Sequence, residues 1–492
     1  MLSSLLHVAT VKPALDLADV FADYFGDYLK VANCTAEQFA AVNAILKCRT
    51  AALGGHLRVC DTCGRVQLVF NPCHNRHCPK CGAWERAQWL AAQAARLLPA
   101  PHFHVVFTLD HRVNPLAEVN PEAIYDLLFS TANQVLKAFA RQYLGGEIGV
   151  TAVLHTWGQT LQHHIHLHCM VTAGALVQSK RGYRWRKSAK GFLVPVVALA
   201  QQFRDAFCQG LQRLQRRGEL RLVGACADLD VAALGKAMQD RKWEVYIGKP
   251  PTRADPERLL AYFGRYVHRT ALSLPRLVAV EDGQVSFSYY DNRERDEQER
   301  GQPKIMTLPA VEFIRRFLTH VLPFQFKRVR HFGLYASAKR AALGVARGLL
   351  GRPPALPEPP KLELGAWLAT FLAGDPFLCP FCGVGRMRPG REFAPLRGFA
   401  LWLLILLTRR RAASRGDAMS GQPGALGWEM SAHKPWWAGE VRGRRGKRMA
   451  KGLAQGVRGG VMGRSNPWWC RPERQQRPFW IAVRVVKQVN SA

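Results

Sequence analysis

The sequence predicts an α+β protein: an N-terminal helical and zinc-binding module, then an antiparallel sheet with helices packed on it, then an irregular tail. Three observations predict it. Residues 13 to 50 carry apolar residues at three- and four-residue intervals, the period of amphipathic helices. A stretch of short strand-like pieces separated by Cys-rich turns follows. From about residue 101, strands and helical stretches mix without the regular βαβ spacing of a parallel sheet. The expected domains are residues 1–100, 101–345, 346–390 and 391–492.

In order along the chain, Pro13 and Thr35 are the start signals of two N-terminal helices. GGHLRVCDTCGRVQLVFNPCHNRHCPKCG has the texture of a small zinc module. FHVVFTLDHRV then reads as a strand, YDLLFSTANQVLKAFARQYL as a helix and TAVLHTWGQTLQHHIHLHCMVTAGAL as a strand pair. The helix LAQQFRDAFCQGLQRLQRRGEL leads to the strand KWEVYIGKP, and Asp255 and Pro256 open a helix over DPERLLAYFGRYVHRTAL. VEFIRRFLTHVLPFQFKRVRHFGLYASAKR is helical at first, then basic and aromatic. GRPPALPEPPKLELG is a spacer, followed by a short helix and the partial module CPFCG.

The 492 residues carry 69 Lys and Arg against 36 Asp and Glu, a formal charge of +33 that points to a polyanionic partner, nucleic acid before membrane. The apolar run FALWLLILL falls short of the ~20 residues of a spanning helix, and MLSSLLHVATVKPALDLADVF lacks the pattern of a secretory signal. The expected location is the bacterial cytoplasm, in association with the nucleoid. Residues 391–492 hold 20 Lys and Arg against five acids with no amphipathic period, the composition of a low-order tail read from a shifted frame of GC-rich DNA.

Cys60 and Cys63 form one CxxC, Cys78 and Cys81 another, and fourteen residues separate them. Two such pairs can close a tetrahedral zinc site of four thiolates, with Cys73 and His77 as possible substitutes. Thirteen cysteines in a reducing compartment fit metal ligation better than disulfides.

The run HHIHLHCMV places His164, His166 and His168 on one face of a strand, since strand side chains alternate with period two. Each buried imidazole would need a partner, and a divalent metal serves all three. On the helix LLAYFGRYVHR, Tyr262 and Tyr266 stand four apart and share a face with a polar company that includes Arg265 and Arg269. KRVRHFGLYASAKR mixes cations, Lys327, Arg328 and Arg330 among them, with Phe332 and Tyr335, a combination that tracks phosphates and stacks bases.

LGGHLRVCDTCG, RHCPKC, FHVVFTLDHRVNPL, LHTWGQTLQHHIHLHCMV, YFGRYVHRTALS, EFIRRFLTHVLP and RVRHFGLYA stand in that order over residues 15 to 345. This series resembles the HUH-type single-strand nucleases, and more closely the rolling-circle transposases of the insertion sequence ninety-one family, with Ile165 where a proline is common. The resemblance implies an HUH-endonuclease-like catalytic domain over 101–345 behind a DNA-recognition domain over 1–100. It implies that His166 and His168, with His164 as the candidate third ligand, hold catalytic Mg²⁺ or Mn²⁺ beside structural Zn²⁺. Tyr262 or Tyr266 would attack a phosphodiester and leave a 5′-phosphotyrosine and a 3′-hydroxyl. The implied partners are single-stranded and hairpin DNA at element ends and target DNA. The alternatives are a plasmid replication initiator or relaxase with the same chemistry, and a non-catalytic zinc-dependent regulator that has no use for the tyrosines.

Overall fold

A computed structural model describes residues 15–189, 193–248, 260, 264, 270–295, 301–371 and 374–396. The chain divides into two units. The larger comprises Lys12–Arg49 and Pro72–Met387, the smaller Met1–Val11, Thr50–Asn71 and Arg388–Ala492.

The helical period at the start of the chain yields α1 (Leu17–Val31) and α2 (Ala36–Lys47). Asp16 caps α1 by accepting from the Ala18 N–H. Thr35 and Gln38 form a reciprocal capping box that starts α2 where Thr35 predicts it; the start expected at Pro13 lies outside the described residues. The smaller unit contributes β1 (Gly55–Cys60) and β2 (Val66–Phe70), an antiparallel hairpin.

In the larger unit α3 (Ala83–Arg96) leads to β3 (His102–Thr108), α4 (Asn114–Val119) and α5 (Pro121–Phe139). Next come β4 (Gly149–Trp157), β5 (His163–Thr172), β6 (Gly174–Ser179), β7 (Gly182–Lys187), α6 (Val196–Arg216), α7 (Val231–Gln239) and β8 (Val245–Ile247). The helix expected over 255–269 lies outside the described residues apart from Leu260 and Gly264. A meander that the sequence reading did not anticipate follows: β9 (Leu277–Glu281), β10 (Gln284–Arg295) and β11 (Gly301–Pro309). It runs into α8 (Ala310–Thr319), the helix expected there, and the basic aromatic stretch after it is an edge strand, β12 (Val329–Gly333). The chain continues through α9 (Arg340–Leu349) and α10 (Leu364–Ala369) to β13 (Met387–Phe393), which joins β1 and β2 in the order β13-β1-β2.

The main sheet has the order β12-β4-β5-β3-β8 with antiparallel pairing throughout. The expected α+β architecture is therefore present: antiparallel sheets with helices packed on them. Ile165, Leu167, Cys169 and Val171 of β5 enter the large core, together with Leu127 and Leu128 of α5 and Phe203 and Phe207 of α6. Helices α5 and α6 cross closely because position 210 is glycine; a Cβ there would stand 2.2 Å from Leu127 Cδ1. The even-numbered residues of β5, His166 and His168 among them, leave by the opposite face, as period two requires.

A second core in the same unit joins Phe21 and Phe25 of α1 to Phe313 and Phe317 of α8 and to Val285 and Phe287 of β10. Phe21 and Phe317 meet edge-on with ring centres 5.6 Å apart. Each such fully buried side chain contributes roughly 2–3 kcal/mol. Within the larger unit α1 and α2 are thus fastened to α8 and β10, and Cys48 and Cys78 belong to this same core.

Candidate metal centres

His155 on β4 and His166 and His168 on β5 form one buried cluster, with ligand atoms all within 4.8 Å of one another. Their exposures are 3%, 8% and 7%, so each imidazole has surrendered its water. Orientation is fixed from behind. The Nδ1–H of His166 donates to its own strand's His164 carbonyl at 2.8 Å, which leaves Nε2 as the lone-pair nitrogen facing inward. His168 shares a single proton between Nδ1 and the Nε2 of His104 at 2.8 Å, the two rings lying 8° from parallel. With that proton on His168, its Nε2 also presents a lone pair, 3.1 Å from the Nε2 of His166. Trp157 stacks on His155 with centroids 4.7 Å apart and 15° between planes.

Burial pushes His166 down to about 3 and His104 down to about 4, so both are neutral at pH 7. Neutral imidazoles with inward lone pairs this close repel one another unless a cation or proton lies between them. That is the chemistry of a metal site.

The third member is His155, where the sequence reading has His164. His164 is exposed and outside the ligand group; its backbone carbonyl orients His166, and its ring centre lies 4.8 Å from that of His166. Trp157 pairs with His163, and counting back evenly from that pair would set His155 opposite Ile165. A register shift between His155 and Trp157 instead sets His155 opposite His166. The five-residue loop between the strands is pinned by buried His320, whose Nε2–H donates to the Leu161 carbonyl while Nδ1 accepts from Thr156 Oγ1.

A second cluster gathers Cys48, Cys73, Cys78 and Cys81, their sulfurs again within 4.8 Å. Cys48 Sγ lies 3.5 Å from Cys81 and 3.6 Å from Cys78, and Cys73 lies 3.8 Å from Cys81. Hydrogen bonds from the surrounding thiols pull the Cys81 thiol far below its usual range. Desolvation works against the Lys80 ammonium, but buried Asp16 at 2.7 Å outweighs it and holds the cation charged beside the Cys48 carbonyl. Four sulfurs at tetrahedral spacing suit Zn²⁺.

The profile of the family described as "Transposase zinc-binding domain" matches residues 20–109, and that of the family described as "Putative transposase" matches residues 149–342. "Putative transposase y4qJ" of Sinorhizobium fredii is 40% identical over 387 residues, covering 76% of this chain and 94% of the relative. The chain belongs to the insertion sequence ninety-one family of transposases. The "Transposase for insertion sequence element IS801" of Pseudomonas savastanoi pv. phaseolicola is 29% identical over 350 residues, 70% of this chain and 81% of that one. No solved structure matches the chain.

The four-cysteine cluster falls within the part of the transposase matched by the zinc-binding family. Cys78 and Cys81 are two of its members, as the CxxC predicts. The other two are Cys73, named above as a substitute, and Cys48 at the end of α2, which no motif signals. His77 is not a member: burial pushes it to about 3, and its Nε2 accepts from the Leu322 N–H. Cys60 and Cys63 lie in the smaller unit, at the β1–β2 turn. There the N–H groups of Thr62 and Cys63 both donate to Cys60 Sγ at 3.4 Å, the local geometry of a metal knuckle. Cys379 and Cys382, in the larger unit, form a similar turn, with Phe381 N–H on Cys379 and Gly385 N–H on Cys382.

Tyr262, Tyr266, Arg265 and Arg269 lie outside the described residues, as does the tail from residue 397. Of the basic stretch expected to meet DNA, Lys327 is exposed. Arg330 is tied to Asp126 and lies 4.3 Å over the Phe129 ring and 5.1 Å over that of Phe326. Arg328 is half-buried, pushed down to about 10 by desolvation, and lies against Trp157. Arg330→Ala is therefore expected to act on stability, by about 1–2 kcal/mol from the lost stacking and packing. Urea denaturation checks this, and an unchanged midpoint would show that the side chain does not hold β12 to α5. Among the described residues, no helix is long and apolar enough to cross a membrane.

Proposed function

We propose that the transposase nicks and rejoins single-stranded DNA by metal-dependent tyrosine chemistry during rolling-circle transposition of its insertion sequence. The observation that carries this reading is the convergence of His155, His166 and His168, with the Nδ1 of His166 and of His168 already engaged from behind.

The donor set tests which ion would sit there. Three imidazoles without a carboxylate suit Mn²⁺ and its borderline neighbours better than Mg²⁺, which prefers oxygen ligands. Such an ion, when bound, supplies Lewis-acid polarisation of the scissile phosphate. The protein's own groups do the rest. His104 and the His164 carbonyl keep the ligand imidazoles in the required tautomers, and Trp157 keeps the His155 ring in plane. Tyr262 or Tyr266 provides the nucleophile: its phenolic oxygen bonds to phosphorus, the P–O3′ bond breaks, and the released 3′-oxygen takes up a proton. The phosphodiester energy is retained in the 5′-phosphotyrosine, so rejoining needs no nucleotide triphosphate.

The test uses labelled single-stranded DNA carrying an element end, with Mn²⁺. A covalent adduct that survives denaturing gels is expected, lost in the Tyr262→Phe/Tyr266→Phe double variant and in His166→Ala. DNA binding without an adduct would favour the regulator and overturn the reading. A demand for plasmid origin sequence in place of element ends would move it to a replication initiator.

A further inference from the structure

Strands β6 and β7 form a two-stranded ribbon separate from the main sheet, in register from Gly174↔Lys187 to Ser179↔Gly182. Its base is fixed. Leu176 exchanges two backbone hydrogen bonds with Glu147, both 2.9 Å, and Leu176 is buried in the core that Trp185 packs against. Its far half is exposed on both strands, from Gln178 to Arg184, and Arg186 and Lys187 are exposed as well. Residues 174–187 contain Lys180, Arg181, Arg184, Arg186 and Lys187 and no acid at all. Among the described residues, none of these five cations is in an ion pair, and Tyr183 stands among them 46% exposed.

The contrast within the same unit is what gives the ribbon meaning. Arg330, in the basic stretch at 327–340, is neutralised by Asp126, and Arg328 is half-buried against Trp157. Arg315 and Arg316 share Glu312, and Lys304 has Asp291 and Glu294. An edge strand needs only one or two lysines to discourage pairing with another edge. Five uncompensated cations on a narrow ribbon cost self-repulsion that only an anionic partner relieves.

We infer that the β6–β7 ribbon is a docking element for duplex DNA, laid along the major groove or its phosphate rims beside the strand that is cut. The dimensions agree: a groove about 12 Å wide admits a two-stranded ribbon, and six residues per strand span roughly 20 Å. The inference rests on the reading of this chain as acting on DNA. Lys180 and Arg181 form the turn, and Arg184, Arg186 and Lys187 are exposed along β7.

The experiment compares the full chain with a variant carrying Lys180→Gln, Arg181→Gln, Arg184→Thr, Arg186→Thr and Lys187→Thr, measuring affinity for a 30-base-pair duplex across a salt series. Each phosphate contact contributes about 0.9 to the slope of log K against log salt, so five cations remove up to about 4.5, or on the order of 500-fold of the gain between 200 and 50 mM salt. Two further variants control for folding and for bulk charge. Arg184→Lys/Arg186→Lys keeps the charge and must keep the slope. Arg213→Gln/Arg216→Gln/Arg217→Gln removes cations from the end of α6 and must leave the slope nearly intact. An unchanged slope in the five-fold variant, a lost slope in the charge-preserving one, or an equal loss from the α6 variant each overturns the proposal. Tyrosine adduct formation on single-stranded DNA is followed in parallel. If the parent chain forms no adduct while the duplex slope still falls, the ribbon stands and the nickase reading fails.

Discussion

Replacement of His155 by alanine is expected to abolish Mn²⁺ binding at the histidine cluster and to lower nicking of single-stranded DNA by 100-fold or more, whereas His164→Ala leaves both within a few-fold of the parent. The two variants separate the ligand set assembled by the β4–β5 register from the one that the HHIHLH motif suggests. His155 presents its ring beside His166 and His168 as a ligand, while His164 orients His166 through its backbone carbonyl, which alanine retains, and its ring packs beside His166 without joining the ligand group. His104→Ala should fall between them, with Mn²⁺ affinity reduced about 10–100-fold, the usual cost of losing a group that orients a ligand. His104→Gln, whose amide oxygen can accept from His168 Nδ1–H, should recover much of it. Titration with Mn²⁺ followed by electron paramagnetic resonance reads binding without reference to turnover. If His164→Ala loses the ion and His155→Ala keeps it, the cluster is not the metal site. Because Trp157 stacks on His155, the alanine variant is compared with His155→Gln to separate lost ligation from lost packing.

The comparison of sequence and structure divides along the range of the interactions. Patterns of short range were legible. The capping box at Thr35, the amphipathic period of α5, α6 and α8 and the alternation of β5 all rest on neighbours within four residues. The metal sites were legible only in part, because each is completed from a distance. His155 reaches His166 through a one-residue register shift that periodicity cannot express. Cys48 reaches Cys78 and Cys81 because α2 packs into the same core as that loop. The β9–β10 hairpin has a short-range signal of its own: Asp282-Gly283, both at positive φ between alternating residues, is a direct two-residue hairpin turn. The basic stretch at 327–330 misled for a physical reason. Charge is read from sequence, but its neutralisation by Asp126 and its packing against Trp157 are not. The ribbon at 174–187 is hard to read from sequence because its cations are spread across a turn and do not form one run.

Cysteine 48 carries the second large expectation. Cys48→Ala should remove one equivalent of zinc per chain and lower stability by on the order of 4–5 kcal/mol or more, the range in which loss of a structural metal falls. The size follows from position. Cys48 ends α2 and is 1% exposed, Cys78 is equally buried, and both lie in the core shared by α1 and α8. Removing one sulfur leaves three thiols and the buried Lys80–Asp16 pair without the charge balance that holds the 72–82 loop against that core. His77→Ala makes the discriminating comparison, since its imidazole accepts from Leu322 and not from the cluster; it should keep its zinc. Zinc content by mass spectrometry and a thermal melt are read on the same samples. Loss of zinc from His77→Ala with retention in Cys48→Ala would return the ligand set to the loop between the two CxxC motifs and displace α2 from it. With the expected result, chelation should unfasten the N-terminal helices together with that loop, because one ion ties the end of α2 to residues up to 33 positions along the chain, and the core around Phe21 and Phe25 closes over both.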